Sequence, residues 1–202
     1  MLPTNAIIAE LETALEKKPP SSHSAMLRAM TDLFVDGPRH LSADHVAVFD
    51  AVIGRLIVSN EPAELASLSV RLAPIEHPPM SVARRLSSDD NIAIARPLLE
   101  QSSALPDDAL IHVAKTKSPH HLLAIAGRPR ISEPVTDALL DRGNSEVTHM
   151  VAKNEGACLS EVSYAKLINR SRTDKHLAQA IAKRKDIPNE LKPFLNLTLD
   201  KA

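Results

Sequence analysis

Three features of this 202-residue sequence predict an all-α fold. The predicted form is a right-handed α-α superhelix of short HEAT-like hairpins, preceded by a non-repeating helical N-terminal region. First, His121–Arg128 (HLLAIAGR), Val147–Asn154 (VTHMVAKN) and Leu177–Arg184 (LAQAIAKR) are variants of one phrase, and each is followed by a second apolar stripe. A two-helix unit of this kind cannot bury its apolar face alone and must stack on its neighbours. Second, the chain is 44% hydrophobic but only 2% aromatic, with three Phe, one Tyr and no Trp. Its core is therefore aliphatic, and Ala and Leu favour both the helix and close helix-on-helix contact. Third, Pro62, Pro79, Pro106, Pro119, Pro134 and Pro188 each stand just before an apolar-periodic run. There the missing N–H costs nothing and the fixed φ helps the helix start. No segment alternates with period two, so no strand is expected.

In chain order, a first helix is expected from about Asn5 to Glu16, followed by a linker, Lys17 to Ser22. A second runs from Ser24 to Val35 and stops at Asp36-Gly37-Pro38. A third, Ser42 to Val58, carries Val46, Phe49, Ile53, Leu56 and Ile57 on one face. Pro62–Leu72, Pro79–Leu86 and Asn91–Leu99 follow, and Pro97 is expected to kink or restart the last of these. Ser87-Ser88-Asp89-Asp90-Asn91 reads as a cap and first turn. After Pro106–Lys115 the pairs become regular: Pro119–Gly127 with Glu133–Asp141, Ser145–Asn154 with Ser160–Arg170, and Asp174–Lys183 with Pro188–Leu199. Ser118, Ser132 and Ser160 are candidate N-caps. Aligning Ala126, Ala152 and Ala182 gives steps of about 26 to 30 residues, shorter than the ~40 of common HEAT units. The expected organisation is a helix and linker over 1–22 and a single helical domain over 23–202. Within that domain, 23–117 is irregular and 118–202 holds three hairpins.

The formal net charge of −1 supplies no global field toward nucleic acid or an anionic membrane. The longest apolar region, Val46 to Val58, is too short to span a bilayer and is interrupted by Asp50 and Arg55. The N-terminus has no basic region ahead of an apolar stretch, and a cytoplasmic location is expected. One cysteine, Cys158, rules out an internal disulfide or a cysteine-built zinc cage. It lies in an inter-helix turn and is expected to pack as a small apolar residue.

The nine histidines raise the question of a metal. His112, the Pro119-His120-His121 step and His149 are the best candidates. Yet no i, i+4 pair of the H-E-x-x-H kind occurs, and adjacent histidines point to different helix faces. His121, His149 and His176 all sit on first helices but out of register with the aligned alanines, so solvated or helix-capping roles are expected. His45 follows Asp44, but no histidine is followed by an acid, which disfavours a phosphorelay. The five scattered glycines build neither a P-loop nor G-x-G-x-x-G, and there is no G-x-S-x-G. No catalytic residue, cofactor or metal is assigned.

Arg128, Asn154 and Arg184 stand two residues past the aligned alanines, at the end of each first helix. They either satisfy end-of-helix carbonyls or form polar hooks along one edge for a ligand.

Several phrases resemble the alphaproteobacterial family known as domain of unknown function 2336. They are Arg71-Leu72-Ala73, Pro78-Pro79, Asn91 to Leu99, Leu105 to Leu110, Ile125-Ala126-Gly127-Arg128, Val135 to Leu139 and Asn154-Glu155-Gly156-Ala157. The resemblance covers about Leu33 to Leu195. It implies a helical-repeat fold in a bacterial cytoplasmic protein and no particular activity.

The expected function is a non-enzymatic interaction, scaffold or regulatory module with a protein partner in the groove lined by the second helices. Asp137, Lys166 and Arg170 are the candidate contacts there, and Arg128 and Arg184 those of the edge. Two alternatives stand beside it. One is a HEAT-like enzyme or nucleic-acid repair protein, disfavoured by the charge balance and the lack of aromatic platforms. The other is a homodimer paired through Ser42–Val58, in place of a monomer.

Overall fold

The structure is a computed structural model that describes residues 20–36 and 41–199. The expected helix Asn5–Glu16, Lys17 to Pro19 of the expected linker, and Gly37 and Pro38 lie outside the described residues. The chain is all-helical, with twelve α-helices and two short 3-10 segments among the described residues. They are α1 (Pro20–Val35), α2 (Ala43–Leu56), α3 (Pro62–Leu72), α4 (Met80–Ser87), α5 (Ile92–Gln101), α6 (Asp107–Thr116), α7 (Pro119–Ala126), α8 (Glu133–Arg142), α9 (Ser145–Lys153), α10 (Glu161–Ser171), α11 (Lys175–Ala182) and α12 (Lys192–Leu199).

Proline sets several of the starts. Pro62 and Pro119 open their helices, Pro134 is the second residue of α8, and Pro79 and Pro106 are N-cap residues. Helix α1 begins at Pro20, inside the expected linker, because a proline is as well suited to a first turn as to a break. Pro97 neither ends nor restarts α5, which runs through it. Asn91 is the cap of α5, its side chain accepting from Ala93 N–H at 3.0 Å, while Asp89 accepts from Asn91 N–H at 2.8 Å. Among the expected serine caps, Ser160 accepts from Ser163 N–H at 3.0 Å. Ser118 and Ser132 occupy the N-cap position without accepting a backbone N–H; their hydroxyls meet His121 Nδ1 and Asp107 instead.

Two compact units divide at Leu105–Pro106. In the first, α1 packs on α2 and α3, α2 on α4, and α3 on α4 and α5. Ile53, Leu56, Leu72, Val82, Leu86, Ala95 and Leu98 are buried there, at most 2% exposed. Phe34 and Phe49 meet edge to face, centroids 5.2 Å apart. The face of α2 considered for dimer pairing thus has its Ile53, Leu56 and Ile57 in the unit's own core. Helix α4 has no cap of its own, and Asp50 of α2 supplies one by accepting from Ser81 and Val82 N–H at 3.1 and 3.0 Å.

In the second unit helices pack on sequence neighbours and also on the next helix but one. Helices α6, α8, α10 and α12 pack in succession as one row, and α7, α9 and α11 as another. Val113, Ile125, Val135, Leu139, Val147, Val151, Leu167 and Ile181 are fully buried in this unit. The turns after α7 and α9 are tied by a single parallel bridge. Ile131 N–H donates to Gly156 O at 3.0 Å, and Cys158 N–H donates to Ile131 O at 2.8 Å.

Candidate functional site

The last four carbonyls of a helix have no partner within it and must find one elsewhere. In the second unit, side chains one step further along each row supply the missing donors. Along the α6–α8–α10 row, Arg142 Nη1 donates to Ala114 O at 3.0 Å and to Lys117 O at 3.4 Å, the end of α6. Arg170 repeats this on the end of α8. Its Nη2 donates to Leu140 O at 2.7 Å and its Nη1 to Thr148 Oγ1 at 2.7 Å. Along the α7–α9–α11 row, Asn154 Nδ2 donates to Ala126 O and Arg128 O, both at 2.8 Å, at the end of α7. Arg184 donates to Asn154 O at 2.6 Å and Ala157 O at 2.7 Å, beyond the end of α9. The leading bonds span 28 and then 30 residues in both rows. The helix starts are joined similarly: Ser132 Oγ donates to Asp107 at 2.6 Å, and Ser160 and Ser163 Oγ both donate to Asp137 Oδ1.

Most of the residues expected to meet a partner are therefore occupied within the fold. Asp137 receives two serines, Lys166 pairs with Asp141, and Arg170 clamps α8. Arg128 and Arg184 are each only 8% exposed. Burial disfavours the Arg128 charge and lowers its pKa, against the opposing pull of Asp107.

Arg184 sits in a polar knot. It lies 3.3 Å from Tyr164 Oη and forms a two-point pair with Asp186 at 3.0 and 2.7 Å. Burial works against the Arg184 charge, yet the bonds to Asp186 and Tyr164 outweigh it and raise the pKa. Burial also opposes the Asp186 charge, and the bonds from Arg184 and Tyr164 reverse that and hold the carboxyl below its ordinary range. Tyr164, 1% exposed, is pushed up to about 12 by burial.

Three of the histidines serve helix starts. His121 Nδ1 lies 2.8 Å from Ser118 Oγ, and His149 Nε2 lies 3.1 Å from Asp174 Oδ2, the cap of α11. His45 and Ser42 form a capping box at the start of α2. Among the described residues, no group of three or more His, Cys, Asp or Glu is placed to hold a metal ion. Cys158 is exposed rather than packed, because the extended turn buries its neighbours Ala157 and Leu159 instead.

A concave surface lies beside these helix ends. A groove of about 390 Å³ runs between the end of α9 and α11, lined by Ala152, Lys153, Glu155, His176, Gln179, Ala180, Lys183 and Arg184. Ala152 and Ala180 are buried and form its floor, while Lys153, Glu155, His176, Gln179 and Lys183 are exposed around it. His176, Gln179 and Lys183 are spaced i, i+3, i+7, which places them on one face of α11. That spacing was available in the sequence, but its pairing with Lys153 depends on the packing of α9 against α11.

No helix among the described residues is long and apolar enough to cross a membrane. No curated protein and no solved structure matches the chain. A family model described as an uncharacterised protein conserved in bacteria (DUF2336) matches residues 94–192, a shorter stretch than Leu33 to Leu195. That stretch holds both sets of clamps and the groove, and over it the chain matches this family.

Proposed function

We propose that the chain is a non-enzymatic interaction module, a right-handed stack of short HEAT-like hairpins that receives a protein partner in the groove between α9 and α11. The observation that carries this reading is the groove itself. It is the open concavity left where polar side chains at neighbouring helix ends are already bonded to each other. Its volume falls in the range of ligand-sized sites, and it combines a small apolar floor with a polar rim. The stacking reading is supported by the alternate packing of the helices and by clamps spaced 28 and 30 residues apart in both rows. The second-helix surface is a weaker candidate, since Asp137 and Arg170 are engaged inside the fold.

The test is affinity purification from a native bacterial host of the wild-type chain and two variants. Gln179→Trp places a bulky ring in the groove, and Val162→Lys alters an exposed residue of α10, 58% accessible. A protein that co-purifies with the wild type and with Val162→Lys but is lost from Gln179→Trp is the expected result. Equal recovery with both variants overturns the groove assignment.

A further inference from the structure

We infer that the occupant of this groove is an acidic, extended segment of a partner protein, its carboxylates pairing with Lys153 and Lys183 over the floor of Ala152 and Ala180. The inference rests on the interaction-module reading above and adds the chemistry of the ligand. The cations around the groove divide into two kinds. Arg184 is committed to two carbonyls, Tyr164 and Asp186, and is 3% exposed at its side chain. Lys153 and Lys183 are exposed at the groove, the last residue of α9 and the residue capping α11.

Against these cations the groove lining has one acid, Glu155, and Asp186 beside it is already neutralised by Arg184. The groove is thus locally positive on a chain whose formal net charge is −1, so attraction of an anion to it is a local effect and not that of a global field. His176 and Gln179 of α11 add hydrogen-bonding groups to the lining. The floor is formed by two alanines, whose small side chains let a peptide backbone approach closely. It offers no aromatic ring on which a base would stack, which favours a peptide over single-stranded nucleic acid.

The experiment measures binding of a short fluorescein-labelled peptide of alternating glutamate and alanine by anisotropy at low ionic strength. A matched lysine–alanine peptide and a short single-stranded oligonucleotide run in parallel. The proteins are the full chain, the groove pair Lys153→Glu/Lys183→Glu, and a charge-matched pair on exposed residues elsewhere, Lys115→Glu/Arg130→Glu. Circular dichroism confirms that each is folded. The expected result is saturable binding of the glutamate peptide alone, weakened at least about tenfold by the groove pair, by no more than about twofold by the other pair, and by added salt. Absence of glutamate-peptide binding, equal loss in both pairs, or oligonucleotide binding abolished by the groove pair each overturns the inference. If the glutamate peptide fails while Gln179→Trp still releases the co-purifying protein, the acidic chemistry is wrong and the module reading stands.

Discussion

At Gly156 the chain passes so close to the preceding turn that a Cβ would lie 1.9 Å from Pro129 O. No glycine among the described residues has a positive φ, so the requirement is one of space and not of backbone conformation. Gly156→Ala is expected to destabilise the fold by about 2 kcal/mol or more, seen as a lower urea midpoint at unchanged m-value. Asn154→Ala removes the donor to Ala126 O and Arg128 O, and a loss of about 1–3 kcal/mol is expected on the same scale. Tyr164, the chain's one tyrosine, offers a spectroscopic check of the knot around Arg184. Its ultraviolet titration is expected near pH 12 in the folded protein and near its ordinary value of 10.0 in urea. Because the folded pKa is the higher one, this contribution to stability is complete below pH 10 and is lost as pH rises toward 12. The sequence placed Arg128, Asn154 and Arg184 at equivalent positions and offered end-of-helix carbonyls as partners, but which carbonyls Asn154 and Arg184 would reach was not legible. A carbonyl acceptor belongs to every residue and leaves no mark in residue type.

Helix boundaries were more legible, because their signals are local. Pro62 and Pro119 open helices as expected, and the expected spans of α3 and α8 match the observed ones to within a residue. The exceptions arise where a distant group competes for the local signal. Ser132 occupies a cap position, yet its hydroxyl donates to Asp107, and α4 takes its cap from Asp50 on another helix. Pro97 is the exception inside an element. Running α5 through it forgoes one backbone hydrogen bond, while Leu98 and Leu99 beside it are fully buried. Packing of that apolar face outweighs the lost bond. Pro97→Ala is therefore expected to raise stability by about 1 kcal/mol or more, measurable as a higher Tm.

At the scale of the molecule, the all-helical class followed from composition and from the helical spacing of apolar residues. The groove did not, since it needs Lys153 and α11 to be brought together by packing that no local pattern encodes. Side-chain bonds that join helices are local in sequence, as in the 39-residue reach from Arg71 to Asp32 in the first unit. Contacts this local predict a main refolding phase complete within about milliseconds, to be checked by stopped-flow circular dichroism.

Each carbonyl clamp also has a direction. Arg142, Asn154, Arg170 and Arg184 all reach back to carbonyls that precede them in the chain, by 28 or 30 residues for the leading bonds. During synthesis the acceptor is therefore made first, and its donor follows after about two to six seconds at ordinary elongation rates. Each new helix end leaves the ribosome facing a docking place that already exists, so this half of the molecule can be assembled in the order in which it is translated.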